Sequence, residues 1–347
     1  MGNKAIPQTI ETTHGCSAAA WSTEVFSEYL GANPFFNFMG TSSHNVVQVK
    51  EDLTRQPGDS VTVQLRAKLN GHGVTGNIRL KGDEEELVFY DQRVHVDTVR
   101  HGVVLRGEMS EKRVAFDLRN QAREALVDWA SDKLRNDIVK ALTNNLVGRD
   151  RSRYLYGATD ANWNANHNTA LANVDNTNDK LTTEIISRAK RKALLEGSRK
   201  IRPVTIRYGN TVHETYVMFA HPYAIRDLLK DQAFKDMNNN GVVQMPDNIY
   251  CHGQRYKGMW DGVMIYETEM PIISKAGASN IDVAHNVLCG AQACVVAWAK
   301  RTNYKEEIDD YGHENGFAID EIRAVEKLVF NHVDHGVVNV FTAAQAD

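Results

Sequence analysis

The sequence predicts an α+β fold with extended appendages. Three features carry that reading. Residues from Gly58 onward alternate apolar and polar with a period of two. An uninterrupted helical stripe runs from Asp117 to Gly148. The second half mixes short strands and helices in no regular βαβ order. The 347 residues amount to about two domains. With 42% apolar and 24% charged residues, the bulk of the chain is not disordered. A net charge of -4 argues against a protein whose main task is to grip nucleic acid through a basic surface, though not against one that lies beside it. No apolar run approaches the roughly eighteen residues of a membrane-spanning helix. Met1–Ala20 also lacks the apolar core of a secretory signal. Cys16, Cys251, Cys289 and Cys294 show no CxxC spacing, which predicts free cytoplasmic thiols, with Cys289 and Cys294 buried as small hydrophobes.

Residues 1–45 read as an N-terminal arm. Within it, Ser22–Leu30 predicts a short helix with Val25, Phe26 and Tyr29 as its apolar points. A Gly31-Ala32-Asn33-Pro34 turn then leads to Phe35, Phe36, Phe38 and Met39. Two readings stay open for this aromatic run: an anchor on another molecule, or packing in the local core. Residues 46–110 read as an extended β-hairpin with flanking strands. Val61, Val63, Leu65, Ala67 and Leu69 face one way, while Thr62, Gln64, Arg66, Lys68 and Asn70 face the other, as in a strand with one wet face. A second β segment runs from about Leu87 to Leu105. The connection between them, Asn70 to Glu86, is rich in glycine and charge and has little to bury, so it should project.

Residues 111–199 hold the strongest helix signal, 117–148, with Asp117 as N-cap and Gly148 past the end. Leu118, Ala122, Leu126, Trp129, Leu134, Ile138, Leu142 and Leu146 form its apolar stripe. About thirty residues give a rod of roughly 45 Å. Its heptads are not sustained, which points to the spine of an extended domain rather than a coiled coil. Residues 149–180, with seven asparagines between Asp160 and Asp179, read as an inserted loop. A helix follows over Thr182–Glu196. Residues 200–326 read as a second domain: a strand at Tyr216–Ala220, a helix after His221-Pro222, a strand at Gly262–Tyr266, and a buried strand or helix over Val287–Trp298. Residues 327–347 read as two closing β runs.

Catalytic motifs are missing. There is no G-x-S-x-G, Walker A or H-E-x-x-H, and the Gly71-His72-Gly73 fragment lies between strands rather than between strand and helix. A metal-dependent hydrolase would have to draw on His313, His332, Asp334 and His335, two of which flank a predicted turn. The acidic runs Asp83–Glu86 and Glu306–Asp310 and the scattered basic residues read as solvated faces.

Arms and projecting hairpins expose surface that another molecule covers, and repeated contacts of that kind close symmetric shells. An ordered set of stretches resembles the major capsid proteins of tailed double-stranded DNA bacteriophages, the group typified by N4-like podophages. These are Gly58-Asp59-Ser60-Val61-Thr62-Val63-Gln64-Leu65, Gly73-Val74-Thr75-Gly76, and Met109-Ser110-Glu111-Lys112-Arg113-Val114 leading into Asp117-Leu118-Arg119. Further on come Phe219-Ala220-His221-Pro222, Gly258-Met259-Trp260-Asp261-Gly262-Val263, Cys289-Gly290-Ala291-Gln292-Ala293, Asp310-Tyr311-Gly312, and Phe330-Asn331 with Asp334 to Val338. The likeness covers about residues 45–340.

The resemblance implies the Hong Kong-phage-type capsid fold. Its parts would be an arm (1–45), an extended hairpin or E-loop (46–110), a peripheral domain with spine helix 117–148 (111–199), an axial domain (200–326), and C-terminal strands returning to the peripheral domain (327–347). It implies self-assembly into pentamers and hexamers of an icosahedral shell enclosing packaged double-stranded DNA, formed in the host bacterial cytoplasm and retained in the virion. Inter-subunit contacts would fall on Phe35, Phe36 and Phe38 of the arm and on Arg66, Lys68, Arg79, Lys81, Asp83, Glu84 and Glu85 of the hairpin. Implied partners are sister copies, a portal at one vertex, DNA through weak non-specific contact, and a decoration protein. Because the arm spans only about 45 residues, a separate scaffolding protein is expected. No catalytic residue, cofactor, metal or membrane partner is implied, and no cross-linking through Lys68 or Lys81. An encapsulin-like compartment, which shares the fold type, and the metal-dependent hydrolase are the alternatives.

Overall fold

The structure is a computed structural model and describes residues 18–51, 58–66, 73–77, 79–82, 84, 89–106, 118–144, 150–195, 200–208, 211–239, 255–309 and 314–346. In chain order the first half holds α1 (Ala18–Ala32), β1 (Met39–Gly40), β2 (Val47–Lys50), β3 (Ser60–Arg66), β4 (Phe89–His95), β5 (Asp97–Arg106), α2 (Leu118–Thr143), β6 (Tyr154–Tyr156), α3 (His167–Ala172) and α4 (Thr183–Leu195). The second half holds β7 (Val204–Tyr208), β8 (Thr211–Ala220), α5 (Pro222–Leu228), α6 (Gln232–Asn239), β9 (Tyr256–Trp260), β10 (Val263–Glu267), β11 (Ile272–Ile273) and β12 (Val283–Cys289). After these come β13 (Cys294–Asp309), β14 (Glu314–Lys327), β15 (Val329–Phe330), β16 (Val333–Asp334) and β17 (Val337–Ala343).

Two large sheets organise these elements. The first has the order β1-β2-β13-β14-β5, and the second runs β6-β17-β12-β8-β10-β9, with β7 beside β8 and β11 beside β12. In the first sheet β13 and β14 form a long antiparallel ribbon, and α2 packs on it. The helix is 26 residues long, which at 1.5 Å per residue is about 39 Å. Ala122, Leu126, Leu134, Ile138 and Leu142 of the expected stripe are buried. Trp129 is only half-buried and stacks on His101 of β5, with ring centroids 4.3 Å apart. Asp117, Leu146 and Gly148 lie outside the described residues.

The segment read as an arm is, over its described part, integral to this layer. Helix α1 packs on both α2 and β13. Val25, Tyr29, Phe35 and Phe38 belong to the same core cluster as Leu134, Ile138 and Trp298. Charge fastens the layer. Arg323 of β14 is buried; it donates to Glu321 Oε1 at 2.5 Å and to Asp137 Oδ2 of α2 at 2.8 Å. Glu321 also accepts from Tyr29 Oη of α1 at 3.1 Å and Thr302 Oγ1 of β13 at 3.0 Å. A carboxylate taken out of water needs that many donors, and losing one would strand the charge. Desolvation, with Glu321 next to it, raises the Tyr29 phenol above its ordinary range.

Two expectations about organisation are corrected. First, the segment read as an inserted loop holds regular structure over its described residues, 150–180. Strand β6 adds to the second sheet by parallel pairing with β17, and Tyr154, Tyr156, Leu171, Val174 and Phe341 form a core of their own. Asp179 holds this segment together, accepting from Ala158 N at 2.7 Å, Asp175 N at 2.9 Å and Asn162 Nδ2 at 3.0 Å. The asparagines look like loop chemistry in sequence because side-chain caps and turns use the same residues. Second, β13 and β14 lie in the first sheet beneath α2, not with β7–β12 in the second. The terminal strand β17 lies between β6, inside the 111–199 span, and β12 of the second sheet. Strand partners are chosen by long-range edge pairing, which local pattern does not encode. The apolar run Val287–Trp298 resolves into strand, turn and strand.

Replacing the fully buried Leu134 by Ala should cost about 2–5 kcal/mol, and Trp129→Ala less, because that ring is partly exposed. Urea unfolding of the two variants beside the parent checks the order, and a larger loss for Trp129→Ala would contradict this packing.

Candidate assembly surface

Strands β3 and β4 form a separate antiparallel ribbon, with Ser60 opposite His95 and Arg66 opposite Phe89. The alternation read from sequence is realised: Val61, Val63 and Leu65 are buried and Thr62 and Gln64 are exposed. The buried face, with Val94, packs on Val295 and Ala297 of the first sheet and on Leu328 just past β14. Polar contacts fix the base of the ribbon. Gln92 donates through Nε2 to Lys327 O at 3.2 Å and accepts from Val329 N at 2.8 Å. Val96 N donates to Asp59 O at 3.0 Å.

Gln292 makes the tightest junction. It lies in the turn between β12 and β13, where the chain passes from the second sheet to the first, and it is fully buried. Its Nε2 donates to Gln48 Oε1 of β2 at 3.0 Å and to Gln64 O of the hairpin at 3.2 Å, while its Oε1 accepts from Arg202 at 2.5 Å. Its φ of 53° is a left-handed value that a non-glycine residue adopts only when its surroundings demand it. Next to it, Gly336 leaves no room for a side chain: a Cβ there would sit 2.8 Å from Ala291 O. Sequence reasoning missed this residue. The signal available was a lone amide within an apolar, small-residue run.

Beyond its base the hairpin turns outward. The described connection residues Arg79, Leu80, Lys81 and Glu84 are exposed, and Gly73, Gly76 and Gly82 have positive φ. Lys68, Asp83 and Glu85 lie outside the described residues, and of Arg66 only the backbone is described. The aromatic run divides. Phe35 lies 4.8 Å from Phe219, and Phe38 lies 4.9 Å from Tyr266 between ring centroids. Both are buried inside their own chain, so for these two the local-core reading replaces the inter-subunit one. Phe36 is exposed.

The described members of the histidine group do not gather into a metal cluster. His332 is exposed in the tight turn between β15 and β16, and His313 lies outside the described residues. Asp334 is already neutralised by Lys327, at 3.0 Å with both side chains buried, and it also accepts from Asn339 Nδ2 at 2.8 Å. Asn339 Oδ1 in turn accepts from His285 Nε2 at 2.9 Å. Burial, the dominant cause, pushes His285 down to about 3, so its imidazole is neutral in the fold. No cluster of three or more metal-ligating side chains occurs among the described residues. Cys289 and Cys294 are buried free thiols, and desolvation raises both above their ordinary value.

The hairpin is thus anchored at its root, and the described residues of its connection are exposed. The family model described as phage capsid protein matches residues 9–346. The chain belongs to the phage capsid protein family; it is a structural component of the virion capsid and not an enzyme. The major capsid protein of Pseudomonas phage KPP25 is 26% identical over 93% of this chain and 94% of that protein. The capsid of Ralstonia phage GP4 superposes with a TM-score of 0.73 at 27% identity, covering 89% of this chain and 90% of that one. The cyanophage Pam1 capsid asymmetric unit shares the fold with a TM-score of 0.75 at 24% identity, over 100% of this chain and 96% of that one. Family membership leaves the hydrolase and cargo-compartment alternatives without support.

Replacing Gln292 by Met should cost about 1–3 kcal/mol, since it leaves buried polar partners unmet. It should also speed amide exchange in Val61–Leu65 relative to α2, which hydrogen-exchange mass spectrometry reads. His285 gives a pH test. Its ordinary pKa is 6.5 and its folded value about 3, so between those values the unfolded chain binds a proton that the fold refuses. Stability therefore falls as pH drops through that window. From pH 7 to 5, His285→Gln should lose about 2 kcal/mol less than the parent in matched denaturant titrations.

Proposed function

We propose that this chain is the repeating subunit of an icosahedral shell, assembling as pentamers and hexamers around packaged double-stranded DNA. The observation that carries this reading is the family match along nearly the whole chain, joined to a hairpin whose described connection is exposed in the single subunit. In this reading the hairpin within 58–106 is the E-loop lying over a neighbouring subunit. The α2 layer with the first sheet is the peripheral part, with α2 as spine. The second sheet, including 150–195 and β17, is the axial part, gathered at five-fold and six-fold positions. The contacts to neighbours fall on Phe36, Arg66, Lys68, Arg79, Lys81, Asp83, Glu84 and Glu85.

The net charge of -4 suits a wall that does not bind its genome tightly. A strongly basic lining would hold DNA through counterion release and oppose its exit. Further partners in this reading are a separate scaffolding protein, a portal at one vertex and a decoration protein, with assembly in the host bacterial cytoplasm.

Electron microscopy of the protein co-expressed with its scaffold tests the proposal. Closed shells are expected from the parent. Deleting residues 70–86 should leave a folded subunit, by circular dichroism and melting, that no longer closes shells. Normal shells from the deletion variant would remove the hairpin from assembly.

A further inference from the structure

The seam between the two sheets buries an amine, a carboxylate and a carboxamide against one another. Lys327 ends β14, Asp334 lies in β16, and Asn339 lies in β17 between Val287 of β12 and Tyr154 of β6. None of the three is more than 4% exposed. Lys327 Nζ sits 3.0 Å from Oδ1 and 3.1 Å from Oδ2 of Asp334, and Oδ2 also accepts from Asn339 Nδ2 at 2.8 Å. One carboxylate oxygen thus holds the lysine amine and the amide nitrogen side by side. Nδ2 has a second, longer contact with Arg153 O at 3.4 Å. With Nδ2 turned to Asp334, Oδ1 faces His285, whose Nε2 donates to it at 2.9 Å. The His285 ring is itself held by stacking on Phe341, with centroids 4.4 Å apart.

An ion pair alone would account for Lys327 and Asp334. It does not account for a carboxamide on the same oxygen with its carbonyl polarised by an N–H. Together the four groups supply a nucleophile, a proton carrier, an acyl carbon and a donor for the oxygen on that carbon. The geometry points to a self-formed isopeptide bond between Lys327 Nζ and Asn339 Cγ, within one chain, with Asp334 carrying protons and His285 polarising the carbonyl.

In the first step Lys327 Nζ passes a proton to Asp334, which replaces two buried charges by two neutral groups. The freed lone pair attacks Asn339 Cγ, and the charge that develops on Oδ1 is met by His285 Nε2–H. Asp334 then gives its proton to Nδ2 and takes one from Nζ. The Cγ–Nδ2 bond breaks, and its electron pair leaves with ammonia. The product is an Nζ–Cγ amide beside a protonated Asp334, so atoms and charge are conserved. Folding supplies the proximity, because the reacting groups are already gathered on one carboxylate. The bond joins the end of β14 in the first sheet to β17 in the second, a covalent brace where the two sheets meet.

Mass spectrometry of the folded full chain, denatured only for the measurement, tests the bond. The parent is expected to be lighter than its sequence by one ammonia. Trypsin should then fail to cut after Lys327, so that the C-terminal peptide spans residues 324–347 and carries the same loss. Lys327→Arg and Asp334→Asn should keep their full sequence masses, with circular dichroism showing which of them stay folded. A folded parent that remains at full mass after prolonged incubation overturns the proposal, whatever the variants do. Loss of ammonia with normal cleavage after Lys327 overturns it too, since that is cyclisation of an asparagine alone. So does the same loss in folded Lys327→Arg.

Discussion

Gln292 is the point on which the architecture turns. At the turn where the chain leaves β12 for β13, one buried amide bonds at once to β2, to the β3–β4 hairpin and to Arg202 ahead of β7. An unsatisfied amide at such a site is expensive, so the four segments must be in register together or not at all. The backbone accepts a left-handed residue to achieve this, and Gly336 gives up its side chain to let the turn close. The hairpin therefore leaves the body from a fixed root, whatever its outer part meets.

The two sheets gain stiffness by different means. The first is clamped by charge: Arg323 joins β14 to α2 through Asp137 and, by way of Glu321, to α1 through Tyr29. The second is filled by apolar side chains from β8, β10, β12 and β17 and carries a buried polar chain, Lys327–Asp334–Asn339–His285, along its seam with the β14 end. Buried ion pairs add little net stability compared with apolar packing, but they are unforgiving of misplacement. A subunit that must present the same surfaces in every copy benefits from that intolerance.

The candidate surface was legible where a residue's neighbours in sequence are also its neighbours in space. The Val61–Leu65 alternation, the glycine-rich connection and the exposure of Arg79, Lys81 and Glu84 all follow from local composition. Phe35 and Phe38 were ambiguous because an aromatic run looks the same whether its cover is Phe219 and Tyr266 of its own chain or another molecule. Asp179 was hidden among asparagines, since the donors it gathers stand up to 21 residues away.

By itself the sequence determined the α2 stripe, the hairpin strands, the two buried thiols and the absence of a recognisable catalytic motif. Each is written in consecutive residues through the 3.6 and 2.0 periodicities or through residue chemistry. Only the tertiary structure decided that β13 and β14 lie under α2, that β17 closes the other sheet, and that the α1 segment is part of the body. Those outcomes depend on which strand edges and apolar faces meet between segments far apart in the chain. That choice is made by the mutual fit of distant surfaces, which no local pattern carries.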